Sequence, residues 1–311
     1  MIKVKNLIKH YGNVKAVNNI SFNIGDGEIV GFLGSNGAGK STTLKMLTGY
    51  IASASGDIYI NDMNINTDSY EIRKMIGYLP ESNPLYPDMK VYDLLKFTAN
   101  IRGIYNIDFK NALDKVVEQC GLAGVIHKQI SSCSKGYKQR VGLASAMIHN
   151  PKILILDEPV TGLDPNQIVE IRELIKNLGK EKLVLMSSHI LQEIEATVDR
   201  IIIIDNGEIV ADGSTKKLIK KHKGDIQLSL EIKGATKEKI KKIEDQIENI
   251  KISKISKSKF GHNVEIEYSE KNDPREEIFK IVAKSKWVLL EMNPKSDNLE
   301  DIFRKLTGKK S

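Results

Sequence analysis

The sequence predicts an α/β fold over most of its length, followed by a small α+β domain. A glycine-rich segment stands between an apolar run and the start of a helix, which is the setting of a phosphate-binding loop. A second apolar run ends in two carboxylates, at the end of a strand where open α/β sheets carry their chemistry. The hydrophobic pattern and the charge balance both change near residue 215. Together these observations predict two domains.

The glycine-rich segment, residues 34–41, fits the pattern G-x-x-x-x-G-K-[ST] at every fixed position. Its backbone N–H groups and the helix after it would hold phosphate oxygens, Lys40 would reach the β- and γ-phosphates, and Ser41 would bind Mg²⁺. The alternative, a chance glycine-rich turn, is disfavoured by the apolar run Ile29–Leu33 before it and the helical pattern after it. The predicted nucleotide-binding residues are Gly34, Ser35, Asn36, Gly37, Ala38, Gly39, Lys40, Ser41 and Thr42.

Two further apolar runs predict strands of the same sheet. Ile153–Leu156 is followed by Asp157 and Glu158. Two like charges at the end of an apolar strand need a nearby cation, which a Mg²⁺ at Ser41 would supply, with Asp157 as a metal ligand through water. Glu158 is then the candidate base for a water that attacks the γ-phosphate. The alternative is a strand that ends in a solvated turn. His189 follows the other run, residues 183–186, and is expected to face the same crevice.

Composition limits where the chain works. It is 41% hydrophobic and 28% charged, as in ordinary soluble proteins. No apolar run approaches the ~18 residues of a membrane span, and no signal peptide opens the sequence. Its two cysteines give neither a disulfide framework nor metal spacing, so we expect a reducing cytoplasm. Any work at a membrane is therefore expected to go through a partner.

The charge of the chain is unevenly spread. Residues 216–311 hold 24 Lys and Arg against 16 Asp and Glu, whereas residues 1–215 hold 23 against 24. We therefore predict a nucleotide-binding domain over 1–215 with a helical insertion at about 90–145, a basic linker over 216–224, and a C-terminal domain over 225–311.

The C-terminal domain shows the element order βαββαβ, which is typical of a ferredoxin-like arrangement. Apolar residues alternate in its first strand, and a helix is predicted after Thr236 from one isoleucine face, namely Ile240, Ile243, Ile247 and Ile250. A hairpin is predicted across residues 261–263. The lysines here, including Lys254, Lys257 and Lys259, contact anionic lipid or nucleic acid, or form an ordinary solvated surface. The sequence favours the solvated surface, since lysine is frequent throughout the chain and no aromatic residues interleave for nucleic acid.

In order and spacing, these motifs resemble the ATP-binding subunit of ABC transporters. Residues 133–140 form a segment that other P-loop proteins lack, and we call it the signature segment. Gly162 to Pro165 and His189 follow it at the spacing of the family. The pattern of residues 134–144, with Gly77 to Glu81, is similar to the branch that serves ABC-2-type exporters, and within it to the gliding-motility-associated transporter. The resemblance covers about residues 1–215 and implies a P-loop fold with a mixed central sheet and antiparallel β and helical subdomains.

The resemblance also implies partners and roles. Two subunits would sandwich two ATP molecules, with Ser134 and Gly136 of one facing the γ-phosphate held by the other and Asp164 at the seam. Tyr11 would stack on adenine, and His189 would contact the γ-phosphate. The homodimer would hydrolyse ATP on the cytoplasmic face of the membrane, held there by a separate transmembrane permease, with no direct contact to nucleic acid. The alternative is a soluble ABC ATPase that acts on ribosomes or nucleic acid.

The sequence departs from the family pattern at two places. Where the family has a Gln after an apolar strand, this chain has Glu81, a carboxylate that can still serve Mg²⁺ or a water. In the signature segment, Cys133, Lys135 and Tyr137 replace a Leu, a Gly and a Gln. None of these changes removes a phosphate-binding group, so nucleotide binding is expected to persist while the hydrolysis rate stays open.

Overall fold

The computed structural model describes residues 1–222, 226–269, 272–295 and 299–308. The strands are β1 (Ile2–Tyr11), β2 (Val14–Ile24), β3 (Ile29–Leu33), β4 (Ser55–Ile60), β5 (Met63–Asn64), β6 (Ile76–Leu79), β7 (Ile153–Leu156), β8 (Leu183–Ser188), β9 (Arg200–Asp205), β10 (Glu208–Gly213), β11 (Ile226–Lys233), β12 (Ile250–Lys257), β13 (His262–Tyr268) and β14 (Val288–Lys295). The helices are α1 (Lys40–Leu47), α2 (Ser69–Met75), α3 (Val91–Ile101), α4 (Asn106–Cys120), α5 (Lys135–Met147), α6 (Pro165–Gly179), α7 (Leu191–Ile194), α8 (Thr215–His222), α9 (Lys237–Lys241), α10 (Arg275–Lys284) and α11 (Leu299–Thr307). The chain divides into two compact units, Met1–Thr215 with the chain end from Leu306, and Lys216–Lys305.

The first unit is organised around a six-stranded sheet with the order β10-β9-β3-β8-β7-β6. All neighbours in it are parallel except the edge pair β10 and β9. Strands β3, β7 and β8 are buried at every position, which is the reason that the sequence shows them as unbroken apolar runs. Because parallel strands end at one edge, the segments that follow β3, β7 and β8 lie together.

A second sheet of the first unit is antiparallel, with the order β2-β1-β4-β5. Its inward side chains, such as Ile2, Val4 and Ile58, share one apolar core with Val30 and Ile155 of the parallel sheet. This gives the mixed architecture that the sequence predicted, with an antiparallel part beside the parallel strands.

Helices α3, α4 and α5, together with a 3-10 turn at Ile130–Ser132, occupy the stretch that was predicted as a helical insertion. Helix α5 begins at Lys135, where the Ser134 side chain caps it by accepting a hydrogen bond from the Tyr137 amide. Of the helices in the described residues, none is long and apolar enough to cross a membrane.

The second unit has the element order βαββαβ, as predicted, and its sheet has the order β12-β13-β11-β14 with every neighbour antiparallel. Alternate residues of β11, namely Leu228, Leu230 and Ile232, are buried and pack in one core with α9 and α10 through Ile240 and Ile278.

Three details of this unit differ from the predictions. Helix α9 ends at Lys241, so Ile243 and Ile247 lie in turns and Ile250 opens β12, although all three are buried. The spacing of the isoleucines therefore indicated which side chains are buried, but it did not predict where the helix ends. The hairpin turn lies at residues 258–261, just before its predicted position. The predicted linker is helical through His222 as part of α8, while its last residues, Lys223 and Gly224, lie outside the described residues.

Candidate functional site

The loop at residues 34–41 joins β3 to α1, as the motif requires. Gly39 has φ +108°, and a Cβ on it would lie 2.4 Å from the carbonyl oxygen of Ala16, so only glycine fits. The loop borders a cavity of about 270 Å³. Ala16, which was not predicted, lines this cavity together with eight predicted site residues: Asn36, Gly37, Gly39, Lys40, Ser41, Thr42, Glu81 and Glu158.

Lys40 is buried at the centre of this loop, with 6% of its side chain exposed. Its ammonium donates hydrogen bonds to the carbonyl oxygens of Gly34 at 2.9 Å and Ser35 at 3.3 Å. The same nitrogen lies 3.4 Å from a carboxylate oxygen of Glu158. The lysine therefore links the loop after β3 to the carboxylate after β7.

Asp157 lies where three hydroxyl and carboxyl oxygens converge. Its Oδ1 atom accepts hydrogen bonds from Ser187 at 2.6 Å and from Ser41 at 3.2 Å. Only 1% of Asp157 is exposed. Glu81 is exposed and lines the same cavity as Ser41. The three predicted metal ligands all line a neighbouring cavity of about 560 Å³. Their oxygen atoms are the donor type that Mg²⁺ prefers.

Glu158 is held at both its backbone and its carboxylate. Its amide N–H donates to the hydroxyl of Ser187 at 2.9 Å, and its φ of +50° is unusual for a residue with a side chain. Thr161 donates to its Oε2 atom at 2.9 Å. The side chain is 5% exposed, so its orientation toward the loop is fixed by these contacts.

His189 follows β8 and reaches the same carboxylate. Its Nδ1 atom lies 2.8 Å from Oε2 of Glu158, and 32% of its side chain is exposed. The histidine therefore faces the crevice at the carboxyl ends of the strands, in contact with the candidate base. A contact to the γ-phosphate stays a prediction.

Three predicted residues lie away from this cavity. Tyr11 stands at the end of β1, 51% exposed, with the Lys9 ammonium 5.5 Å from its ring centroid. Ser134 and Gly136 border a separate cavity with Arg140. Gly136 is buried against Gln167, whose side chain would lie 2.7 Å from an added Cβ. Within a single chain, Ser134 and Gly136 therefore do not line the cavity at the phosphate loop.

A larger cavity of about 560 Å³ adjoins Ser41 and Asp157. Tyr78 lines it, and its buried hydroxyl has no hydrogen-bond partner among the residues that the structure describes. Burial, with a smaller effect of the Asp157 charge, raises the pKa of Tyr78 above its usual range. Apolar side chains of Leu85, Pro87 and Ile130 complete the wall on the side of the helical region.

Sequence reasoning missed three contributors to the site. Ala16 lines the loop with its carbonyl group, Thr161 bonds the candidate base, and Ser187 bonds both carboxylate residues. Of these three residues, only Ser187 could have been found from the sequence, because it follows the apolar run that ends just before His189. The other two act through tertiary contacts that no local pattern reports.

Comparison with known proteins identifies the family. A model of the family described as ABC transporter matches residues 17–161. The chain is 41% identical over 232 residues to the bacitracin transport ATP-binding protein BcrA of Bacillus licheniformis, covering 74% of this chain and 75% of that protein. The chain belongs to the ABC transporter family. It is an ATP-binding cassette that hydrolyses ATP and energises transport together with a permease.

Two further proteins similar to this cassette extend the finding. The linearmycin resistance ATP-binding protein LnrL of Bacillus subtilis is 35% identical over 235 residues, which cover 75% of this chain and 76% of that protein. A dimeric ATP-binding cassette, solved in a post-hydrolysis state with ADP and Pi, is 25% identical with a TM-score of 0.63, over 69% of this chain and 98% of that one. The P-loop ATPase fold of the family therefore covers about 70% of the chain.

Proposed function

We propose that this cassette powers an ABC-2-type exporter and that Glu158 is the base of its ATPase reaction. The observation that carries the proposal is the fixed position of Glu158, whose buried carboxylate is bonded by Thr161 and His189 and lies 3.4 Å from Lys40 of the phosphate loop. Relatives named for bacitracin transport and linearmycin resistance support the exporter assignment. The narrower likeness to the gliding-motility-associated transporter stays a prediction.

Ser41 and Asp157 are the residues that would hold Mg²⁺, with Glu81 beside them at the rim of the cavity. Support comes from the 3.2 Å contact between the Ser41 hydroxyl and Asp157, which brings two hard oxygen donors together. When bound, the ion would neutralise phosphate charge. Lys40 and the N–H groups of the loop would bind the same phosphates.

Glu158 and His189 then divide the work at the γ-phosphate. Glu158 orients the attacking water and accepts its proton, for which its buried, hydrogen-bonded carboxylate is held in place. His189 uses Nδ1 for Glu158, which leaves its Nε2 atom for the phosphate. Ser187 holds the backbone from which Glu158 projects.

A second copy of the chain would complete each site. Ser134 caps the N-terminus of α5, which favours an anion. Its hydroxyl already accepts a hydrogen bond from the Tyr137 amide in the single chain. In the dimer, Ser134 and Gly136 would approach the ATP of the other subunit, Asp164 would lie at the seam, and Tyr11 would stack on adenine. The similar cassette solved as a dimer supports this arrangement.

The loop after β6 is the proposed receiver of the permease on the cytoplasmic face of the membrane. Asn83 in this loop donates a hydrogen bond to the Lys138 carbonyl of α5 at 2.8 Å, and its side chain fits against Gly142. A permease segment that displaces this loop would therefore move Glu81 and helix α5 together. Tyr86 offers a contact surface, being 56% exposed and packed edge-on against Phe97 at 6.2 Å.

The second unit, in this proposal, is a ferredoxin-like domain. Its strand order β12-β13-β11-β14, with antiparallel neighbours and one helix after the first strand and one after the third, supports the assignment. What the exporter carries is set by the permease, which contributes the contacts to the transported substrate.

Glu158→Gln tests the proposal directly. The variant should bind ATP with near-normal affinity yet lose turnover by about 10²–10⁴-fold, because the amide keeps the shape and removes the proton acceptor. Glu173→Gln, which changes an exposed glutamate of α6, is the matched control and should keep full turnover. ATP affinity and phosphate release are measured on both. Turnover close to that of the wild type in Glu158→Gln would rule out this residue as the base.

A further inference from the structure

One end of the sheet in the second unit gathers exposed lysines. Strands β11 and β12 end there and β13 and β14 begin there, since Ile232 and Lys257 both pair with His262, and Lys233 pairs with Val288. Six exposed side chains share this end, and we call them the basic tip: Lys233, Lys257, Lys259, Phe260, Lys286 and Val288.

The turn of the basic tip is closed by hydrogen bonds of Ser258 and leaves its aromatic ring exposed. The Ser258 hydroxyl accepts hydrogen bonds from the amides of Phe260 at 3.3 Å and Gly261 at 2.9 Å. It donates one to Glu231 at 2.5 Å, which engages that carboxylate. Phe260 is nevertheless 57% exposed. The ring thus stays in water although the turn around it is ordered, and the domain gives up the stabilisation that burial of the ring would bring.

The charge at the basic tip also differs from that of the rest of β12. Further along the strand, Lys251 pairs with Glu267 and Lys254 with Glu265 across the ladder, as in an ordinary solvated sheet surface. Lys257 instead lies opposite His262.

Three carboxylates lie near the basic tip. Glu231 accepts a hydrogen bond from Ser258 and pairs with Glu291 across the ladder, and Glu238, in the first turn of α9, interacts with the charge of Lys237. The four lysines of the basic tip outnumber these carboxylates, and they share this end of the sheet with Phe260 and Val288.

An exposed phenyl ring and an aliphatic side chain within a set of lysines match an anionic lipid surface. The lysines are attracted to the headgroups, while the apolar side chains enter the boundary between headgroups and acyl chains. Single-stranded nucleic acid fits less well, because it needs successive aromatic platforms along a groove. We propose that the basic tip docks directly on anionic lipid of the membrane, as a contact separate from the permease.

The test uses the purified full-length chain and sedimentation with lipid vesicles. Wild type should bind phosphatidylcholine vesicles that contain about 30% phosphatidylglycerol, and binding should fall as salt rises from about 0.1 to 0.5 M. It should not bind vesicles of phosphatidylcholine alone. Removing two lysines in Lys257→Gln/Lys259→Gln should weaken partition about 30-fold. Phe260→Ser should weaken it about 5- to 10-fold.

Matched controls come from the same unit. Lys251→Gln/Lys254→Gln removes the same charge from the same strand away from the basic tip. Phe279→Ser removes a ring that is 58% exposed on α10. Both controls should bind anionic vesicles like wild type, and all four variants should keep wild-type ATP turnover, since none alters the first unit.

Three results would overturn the proposal. Wild type that fails to sediment with anionic vesicles has no direct lipid contact. Controls that lose as much binding as the basic-tip variants would show that partition does not depend on the basic tip. Tighter, Phe260-dependent binding to a single-stranded RNA oligonucleotide would assign the basic tip to nucleic acid. Each of these results leaves the proposed role of Glu158 untouched.

Discussion

The hydroxyl of Ser187 lies 2.9 Å from the amide nitrogen of Glu158, and this bond holds a glutamate whose φ is +50°. The same hydroxyl donates to Asp157 at 2.6 Å. One buried side chain of β8 therefore fixes both carboxylate residues that follow β7. A left-handed backbone at a non-glycine residue is unfavourable by itself, so its persistence depends on contacts of this kind.

Ser187→Ala should lower kcat by about 10- to 100-fold, because the Glu158 amide loses its partner in a buried place and the base loses its orientation. ATP affinity measured without Mg²⁺ should change little, since the phosphate loop keeps its contacts. Single-turnover rates and ATP binding are measured side by side. A drop in affinity with normal kcat would contradict a positioning role.

Ser188→Ala is the matched control for that variant. Ser188 is equally buried, and its hydroxyl contacts the backbone of Ile190. A similar loss of kcat in both variants would mean that general disturbance of β8, and not the bond to Glu158, is responsible.

Ser134→Arg should block dimer formation driven by ATP. In a Glu158→Gln background, Mg-ATP should shift the chain toward dimer, because each ATP needs the signature helix of the second copy. Adding Ser134→Arg should abolish the shift without loss of ATP binding. Light scattering after size exclusion measures both states. Ser285→Arg, an exposed position in the second unit, should leave the dimer intact, and a dimer that ignores both ATP and Ser134 would contradict the proposed seam.

Tyr86→Asp should weaken co-purification with the permease while ATP affinity stays unchanged. Tyr86 is a better position to test than the neighbouring Leu85, which is half-buried and lines the larger cavity. Tyr70→Asp is a control of the same kind, at a tyrosine that is 66% exposed on α2. A Tyr86 variant that binds the permease normally but fails to bind ATP would place this loop in the nucleotide site instead.

His149 should make the first unit less stable as pH falls from about 6.5 to 4. Burial, together with the nearby charge of Arg102, lowers the pKa of His149 from 6.5 to about 4. The unfolded chain therefore takes up a proton in this window before the folded chain does, and stability present above pH 6.5 is lost. The ring is partly exposed, so we expect a loss of about 1–3 kcal/mol.

His149→Gln isolates this effect. Glutamine keeps a neutral donor for the Ile76 carbonyl, which the His149 ring contacts at 3.0 Å. Urea unfolding at pH 7.5 and pH 4.5 should show a smaller difference in the variant than in wild type. His10→Gln, at an exposed position of β1, should keep the wild-type difference. An unchanged difference in His149→Gln would assign the acid sensitivity to other groups.

The sequence was sufficient to predict the parts of the site that follow from local pattern. Strands β3 and β7 are short apolar runs between turn residues, so the phosphate loop and the two carboxylates could be placed at one sheet edge. Ser187 could not be assigned a role, because its contact with Asp157 depends on the register that sets Leu156 against Met186. The predicted length of α9 was wrong because the local pattern was misleading. Ile243 and Ile247 are buried at helical spacing, yet they lie outside the helix.

The contacts of Lys40 have a consequence for how ATP affinity is interpreted. Its ammonium already has the carbonyl groups of Gly34 and Ser35 and the carboxylate of Glu158 as partners within one chain. Phosphate binding is then an exchange of partners, so the measured affinity is the difference between two sets of contacts. Replacing Lys40 would remove both sets at once, and the lost affinity would understate the strength of the lysine–phosphate contact. The same exchange frees Oε1 of Glu158 when a triphosphate enters, while Thr161 and His189 keep Oε2 in place. Arrival of the substrate would therefore uncover the proposed base.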